Sequence, residues 1–124
     1  MAPVPQRWRL SRSMRMQRTV EFKRTREQGQ RMVRGCLILN WWPRSQAAHS
    51  RLGVVTSRKI GNAVVRSRAR RLIREAFRRL QPQIQQPCDI VFVARSSIRD
   101  LDGVSVQRRV ERVLAAAHLL PPVS

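Results

Sequence analysis

Acidic residues are scarce in this sequence, which has 7 aspartates and glutamates against 26 lysines and arginines and a formal net charge of +19. The acids are scattered, and His49 and His118 stand apart from any cysteine or serine at a spacing typical of a nucleophile and its base. Metal-assisted hydrolysis needs clustered carboxylates. We therefore expect neither a catalytic residue nor a metal site on the protein itself.

Cysteine is also rare, and long apolar runs are absent. Cys36 and Cys88 form neither a C-x-x-C motif nor a Cys/His cluster, so zinc binding and dithiol chemistry are poorly supported and both side chains are expected in the core. No segment approaches the roughly 18–20 apolar residues that span a bilayer, and no apolar signal segment follows the basic N-terminus. We expect no membrane insertion and a cytoplasmic location.

Arginine is the abundant residue, because only Lys23 and Lys59 among the basic residues are lysines. A guanidinium group binds phosphates and stacks on bases better than an ammonium group, although a codon usage that favours arginine accounts for part of this bias. Codon usage does not explain the shortage of acids. A polyanionic partner is therefore expected, with nucleic acid ahead of an anionic membrane surface. The 124 residues, 42% of them hydrophobic, suit one folded domain.

The N-terminal half predicts a basic arm, a short helix and two strands. Residues 1–14 combine prolines and arginines without apolar periodicity, which is typical of a flexible arm. A helix is predicted over Val20–Gln28, after a threonine that suits the N-cap. Strands are predicted at Cys36–Trp41 and Arg51–Ser57. With Pro43–Ser50 as the turn, we expect these two strands to form an antiparallel hairpin.

A long amphipathic helix is the strongest feature of the C-terminal half. Over Val64–Leu80 the apolar residues recur at helical spacing, and Asn62 is a candidate N-cap. The opposite face carries seven arginines against Glu75, and such like charges repel one another unless a polyanion binds. Asp89–Arg95 predicts a buried strand, and Asp102 is expected to cap a final helix.

The residues around the start of the long helix follow a distinctive order. The segment Ser57–Phe77 resembles the signature of the bacterial ribonuclease P protein family, roughly S-K-K-x-G-x-A-V-x-R-N-R-x-K-R-x-x-R-E. The resemblance extends to Glu21-Phe22, to Arg51–Val54 and to Asp89–Arg95. It implies a family domain over residues 15–118, followed by a short tail at residues 119–124.

The resemblance also implies a fold and an activity. The expected fold is a single-domain α+β sandwich of order α-β-β-β-α-β-α, ribosomal protein S5 domain 2-like, with a short strand near Arg31–Val33. Its β-α-β crossover is expected to be left-handed, against the usual rule. The resemblance implies an enzyme that removes the 5′ leader of precursor tRNA. Its RNA subunit is expected to do the chemistry, with one protein per catalytic RNA and magnesium held mainly by the RNA.

Site residues follow from the resemblance, position by position. The expected contacts with the catalytic RNA are Arg58, Lys59, Asn62, Arg66, Ser67, Arg68, Arg70, Arg71 and Arg74. The expected cleft for the single-stranded leader contains Phe22, Arg26 and Asn40. Ser67 replaces the family's central asparagine, and the cleft has Arg26 and Asn40 where the family often has aromatics. If strand alternation holds, one of the neighbouring Trp41 and Trp42 faces the core.

Other functions share part of this pattern. A ribosomal or other structural RNA-binding protein would carry a similar basic helix, and so would a DNA-binding nucleoid protein. A solvated helix that only packs against the core is a further alternative. Arginine contacts with phosphates predict affinity and salt sensitivity, and they do not separate RNA from DNA.

Overall fold

The described part of the chain forms three α-helices and four strands. The computed structural model describes residues 15–16, 19–44, 47 and 49–121, so the predicted basic arm at residues 1–14 lies outside the described residues. The elements in chain order are α1 (Thr19–Gln28), β1 (Gln30–Arg34), β2 (Leu37–Pro43), β3 (Arg51–Val55), α2 (Ala63–Leu80), β4 (Cys88–Ala94) and α3 (Gly103–Ala116). The α+β order implied by the resemblance is confirmed, including a strand that contains Arg31–Val33.

The four strands form one sheet in the order β1, β2, β4, β3. β2 pairs antiparallel with β1 and β4, whereas β3 pairs parallel with β4. The predicted hairpin between Cys36–Trp41 and Arg51–Ser57 is therefore wrong, because β4 lies between these strands. The apolar β4 gains a partner on both edges in this position. Residues 44–50 easily span the two inter-strand spacings, about 10 Å, that separate β2 from β3.

The hairpin of this sheet joins β1 to β2 instead. Gly35 turns the chain with φ of +55°, a conformation that favours glycine, and the register places Arg34 opposite Leu37. The parallel strands β3 and β4 are connected through α2, which is the crossover that the resemblance implies. The left hand of this crossover stays a prediction.

The two faces of the sheet are covered unequally. One face packs against α2 and α3 to form the core, whose main members are Leu37, Leu39, Trp41, Leu52, Ile73, Phe77, Ile90, Phe92, Val106, Val110 and Leu114. The other face carries α1. Trp41 lies in the core, whereas the neighbouring Trp42 lies on the face of α1, with the guanidinium of Arg24 5.6 Å from its ring centroid. The prediction that one of the two tryptophans faces the core is confirmed.

The N-caps of α2 and α3 and both cysteines lie where the sequence predicts them, whereas Thr19, predicted as an N-cap, is the first residue of α1. Asn62 Oδ1 accepts a hydrogen bond from the backbone N–H of Val65 at 3.0 Å, and Asp102 Oδ1 accepts one from Ser105 at 2.8 Å. Both cysteines are free and buried. Burial, followed by the nearby charge of Asp89, raises the pKa of the Cys88 thiol to about 11, so it stays protonated at neutral pH.

The C-terminal end of the described chain packs against the core. Leu119 and Leu120, the first residues of the predicted tail, are buried there, and residues 122–124 lie outside the described residues. The domain boundaries at residues 15 and 118 stay a prediction. Within the described ranges, no helix is both long and apolar enough to cross a membrane.

Candidate nucleic-acid interface

A tight basic turn leads from β3 into α2. The backbone N–H groups of Ile60 and Gly61 donate to the carbonyls of Ser57 and Arg58 at 3.1 and 3.2 Å. Ile60 is fully buried and anchors the turn, which leaves Arg58 and Lys59 exposed beside it. Gly61 has a φ of +155°, and a Cβ there would press against the first turn of α2. The turn therefore places two predicted RNA contacts at the start of the helix.

The N-terminus of α2 adjoins this turn and forms a shallow depression. Asn62 uses its amide oxygen as the helix cap and remains exposed. The depression is lined by Ala63, Val64, Ser67, Arg68 and Arg71. Unpaired N–H groups and the helix dipole favour an anion at this end of a helix. Three of the predicted RNA contacts thus surround a position that suits a phosphate.

Arg66, Arg70 and Arg74 form the flank of α2 that faces β3. Their spacing of four residues places them on one side of the helix, where like charges repel. Arg15 adds a fourth positive charge, because its bridge to Leu52 of β3 brings it near Arg74. Burial lowers the pKa of Arg74, and the charges of Arg15 and Arg70 lower it further. This flank concentrates positive charge that bound phosphates would neutralise.

Ser67, where the chain departs from the family signature, contacts one of these arginines. The guanidinium of Arg70 donates to Ser67 Oγ at 3.0 Å and to Thr56 Oγ1 at 2.7 Å. The two hydroxyls hold this guanidinium between α2 and the end of β3. The serine therefore retains an acceptor that orients Arg70, although it lacks the second polar atom of an asparagine side chain.

Arg68 and Arg79 form the opposite flank of α2, and both contact the rest of the protein. Arg68 donates to the carbonyl of Leu101 at 2.8 Å, and Arg79 donates to Gln107 Oε1 of α3 at 2.7 Å. A guanidinium has five N–H donors, so each arginine keeps donors for a ligand. The predicted RNA contacts are consequently divided between two flanks of α2, and Arg68 also ties the helix to the loop before α3.

A groove lies between α1 and the part of the sheet that α1 leaves uncovered. It encloses about 550 Å³ and is lined by Phe22, Lys23, Arg26, Glu27, Arg31, Ile38, Asn40 and Val93. The predicted cleft residues Phe22, Arg26 and Asn40 are therefore brought together in one groove. Three cations and one acid beside apolar side chains suit a single-stranded nucleic acid, because phosphates contact the cations while bases stack or pack.

The floor and wall of this groove depend on close packing of α1 on β3. A Cβ on Gly53 would collide with the ring of Phe22, so the glycine lets the half-buried ring lie directly on the sheet. Asn40 is 3% exposed and forms part of the floor, opposite Arg31 in the register of β1 and β2. The groove therefore offers the ring of Phe22 at its wall and a buried amide in its floor.

Several groove residues were missing from the prediction. Alternation along β2 from Asn40 could have found Ile38, since both lie on one face. Arg31 required the β1–β2 register, and Val93 required the pairing of Ile38 with β4. Gly35 is a local signal for the β1–β2 hairpin, whereas the sequence held no local signal for the pairing of β2 with β4.

Carboxylates of the described residues do not provide a magnesium site. Within these ranges, no group of three or more histidine, cysteine, aspartate or glutamate side chains lies together. The buried Asp89 forms ion pairs with three arginines instead. Magnesium prefers several oxygen ligands, including waters. The described residues therefore form no cluster that would hold magnesium by protein side chains alone, and we assign no step to a metal on the protein.

The fold and these two surfaces together define the class of small α+β nucleic-acid-binding proteins. A family model described as ribonuclease P matches residues 10–118. The chain belongs to the ribonuclease P protein family, whose members bind RNA and act in tRNA processing as part of the ribonuclease P enzyme.

Curated relatives and solved structures agree with this assignment. The ribonuclease P protein component of Shouchella clausii is 33% identical over 114 residues, which cover 92% of this chain and 93% of the relative. That of Roseiflexus sp. is 38% identical over 112 residues, covering 90% and 91%. The Staphylococcus aureus RNase P protein superposes with a TM-score of 0.80 at 29% identity, covering 87% of this chain and 98% of that one. The family resemblance read from Ser57–Phe77 is confirmed.

Proposed function

We propose that this chain is the protein subunit of ribonuclease P and that it works in the cytoplasm, with one protein bound to each catalytic RNA. It binds that RNA through α2 and the basic turn before it, and it holds the 5′ leader of precursor tRNA in the groove beside α1. The RNA subunit performs the chemistry of leader removal and holds most of the magnesium. The main support is that this member of the family carries two separate surfaces suited to RNA. One is the cationic flank of α2, and the other is the groove beside α1.

The catalytic RNA is assigned to α2 because this helix attracts phosphates at two places. Its N-terminus and the cations of the preceding turn suit one phosphate group. Its β3 flank carries Arg66, Arg70 and Arg74 beside Arg15, with no acidic partner for these four side chains within the described ranges. A folded RNA presents phosphates at many positions along its surface. Such contacts supply affinity that depends strongly on salt.

The leader is assigned to the groove because its lining combines charge with apolar surface. Phosphates of a single strand can contact Lys23 and Arg31, while bases stack on Phe22 or on the guanidinium of Arg26. Contacts with phosphates and stacking on the faces of bases carry little information about base identity. The leader would therefore bind with little dependence on its bases.

Reconstitution tests this function directly. Adding the protein to ribonuclease P RNA at low magnesium should restore 5′ processing of precursor tRNA, because the protein's cations replace part of the charge screening that magnesium provides. Gel analysis of the cleaved leader measures the effect. Bovine serum albumin and an unrelated basic RNA-binding protein serve as controls for non-specific stimulation. Absence of stimulation by this chain would contradict the proposal.

Competition separates the catalytic RNA from other nucleic acids. Duplex DNA and a ribosomal RNA fragment are each added at equal nucleotide concentration to the complex of the protein with ribonuclease P RNA. We expect the ribonuclease P RNA to remain bound. Displacement by the DNA would favour a nucleoid protein, and displacement by the ribosomal fragment would favour a structural RNA-binding protein.

A further inference from the structure

Asp89 of β4 is a fully buried carboxylate on which three arginines converge. Arg51 donates from Nε to Oδ1 and from Nη2 to Oδ2, both at 2.8 Å. Arg24 donates to Oδ2 at 3.1 Å, and Nε of Arg44 lies 3.4 Å from Oδ1. A buried carboxylate needs such partners, because desolvation of an unpaired charge is costly. Glu21, whose carboxylate contacts Arg51 at 2.8 Å, completes what we call the Asp89 cluster.

The Asp89 cluster joins four separate parts of the chain, with Asp89 itself on β4. Arg24 and Glu21 belong to α1, Arg51 belongs to β3, and Arg44 follows β2. Helix α1 is therefore tied to the sheet twice, once through Arg24 and Asp89 and once through Glu21 and Arg51. The cluster fixes both the distance and the rotation of α1 relative to the sheet.

Few other contacts could hold α1 in this position. Val20 is 73% exposed, which leaves Phe22 as the one large apolar side chain of α1 that packs on the sheet. Thr25 is buried, but its hydroxyl donates to the carbonyl of Glu21 within the same helix. At the end of the helix, Gly29 lies so close to the backbone of Trp41 that a Cβ would collide with it. The middle of α1 therefore depends on the Asp89 cluster and on the contact of Arg24 with the ring of Trp42.

The position of α1 sets the shape of the groove. Phe22, Lys23, Arg26 and Glu27 of α1 form one wall, whereas the opposite side and the floor belong to the sheet. A shift of α1 would move the whole wall relative to Asn40 and Val93. The groove would then change its width and lose the alignment between stacked bases and phosphate contacts.

We propose that Asp89 is a positioning residue for leader binding, because it holds α1 through Arg24 and Arg51 and thereby sets the groove for single-stranded RNA. Asp89 is 0% exposed, so it acts without contacting the RNA. The proposal rests on the proposed function of the groove. The proposal also gives Arg24, Arg44 and Arg51 a structural role, because all three pair with Asp89.

The first test compares two arginines that share Asp89. Arg24→Gln removes the contact from α1, whereas the matched control Arg44→Gln removes a contact from the loop after β2 and leaves α1 tied. The affinity of the reconstituted holoenzyme is measured for precursor tRNA with a leader that fills the groove and for precursor tRNA with a single-nucleotide leader. We expect Arg24→Gln to weaken binding of the long leader about tenfold, comparable to the removal of one stacked base, and to leave the short leader unchanged. Arg44→Gln should change neither affinity.

A double-mutant cycle distinguishes positioning from direct contact by Arg24, whose side chain is 40% exposed. If both residues act through the position of α1, Asp89→Asn, Arg24→Gln and the double variant should all show about the same tenfold loss. Additive losses, or a long-leader affinity that Asp89→Asn leaves intact, would mean that Arg24 binds RNA by itself and would overturn the proposal. Circular dichroism and affinity for the RNA subunit report whether each variant is folded.

The position of α1 can also be measured in the protein without RNA. The ring of Phe22 lies over Gly53, so its ring current should shift the Hα signals of Gly53 in an NMR spectrum. This shift should disappear in Arg24→Gln and remain in Arg44→Gln. An unchanged Gly53 shift in Arg24→Gln would overturn the positioning role. A wild-type holoenzyme that binds both leaders equally would instead overturn the proposed function of the groove, whatever the Gly53 shift shows.

Discussion

Helices α1 and α2 are both rich in arginine, but different forces hold them in place. α2 buries Ala69, Ile73, Ala76, Phe77 and Leu80. Apolar burial therefore holds α2 against the core, and the hydrogen bonds of Arg68 and Arg79 only add to it. α1 has no comparable apolar stripe, and its Arg24 is engaged by Asp89. The comparison indicates that a helix with little apolar packing uses some of its arginines, here Arg24, to hold its place in the fold.

This difference changes how the net charge of +19 should be interpreted. Charge alone gives every arginine the same expected role. The structure separates Arg24, Arg44 and Arg51, which surround a buried acid, from Arg66 and Arg74, for which no ion pair is found within the described ranges. Part of the positive charge is therefore structural, and the charge that we propose for RNA binding lies on α2, on the turn before it and in the groove beside α1.

The largest expected effect tests whether burial holds α2 more firmly than α1. Phe77→Ala should lower the free energy of unfolding by about 3–5 kcal/mol, because it leaves a cavity in the core. Phe22→Ala should lower it by only about 1–2 kcal/mol, since its half-buried ring covers less apolar surface. Urea unfolding followed by circular dichroism measures both values.

Val64→Ala provides the control for this pair, because Val64 lies on α2 and is 76% exposed. Its effect should stay within about 0.5 kcal/mol. If Phe22→Ala proved as destabilising as Phe77→Ala, α1 would be held by its aromatic ring, and the contrast between the two helices would fail.

The next largest effect concerns the salt dependence of RNA binding, which should differ between the arginines of α2 and those of the Asp89 cluster. Replacing Arg66, Arg70 and Arg74 together by alanine should weaken binding of ribonuclease P RNA, because the variant neutralises fewer phosphates and so releases fewer counterions. The slope of log K against log salt should become shallower by about 0.7–0.9 for each phosphate that the variant no longer neutralises. Filter binding at several salt concentrations gives the slope.

Arg44→Ala is the matched control for the triple variant, since Arg44 also carries a positive charge but pairs with the buried Asp89. The salt slope of this variant should equal that of the wild type. An equal decrease per arginine in both variants would show that the distinction between structural and ligand-binding arginines is wrong.

The smallest effect concerns Asn62, which the resemblance places among the RNA contacts and the structure places at the N-cap of α2. Asn62→Ala should lower the free energy of unfolding by about 1 kcal/mol, whereas Asn62→Ser keeps a capping oxygen and should retain most of it. Thermal unfolding measures the cap. A serine variant that keeps its stability but binds the RNA subunit more weakly would assign Asn62 both roles, and unchanged binding would limit it to the cap.

Local patterns predicted α2 and its surroundings well. The helical spacing of its apolar residues, the caps Asn62 and Asp102 and the apolar run of β4 each depend on residues that are close in the chain. The strand order was not predictable in this way, because β4 enters between two strands that precede it. Pairing across the sheet depends on the whole core.

The Asp89 cluster had no signal in the sequence. Asp89 is separated from Arg51 by 38 residues and from Arg24 by 65 residues, so neither spacing identifies the partners. The family resemblance supplied Phe22, Arg26 and Asn40, whereas the arrangement that positions their groove became apparent only from the packed fold.

The central position of β4 has a consequence for synthesis of the chain. Apart from the single bridge to Arg15, β3 has β4 as its only partner strand among the described residues, and β4 comes after α2. As the protein leaves the ribosome, its basic helix therefore emerges before the sheet that will cover its apolar side can close. The arrival of β4 closes the sheet and brings Asp89 to its arginines, and α3 then adds the last residues of the core. A nascent chain stopped before Cys88 would expose both an unpaired strand and the apolar stripe of α2, which makes the last strand the step that protects this protein from aggregation.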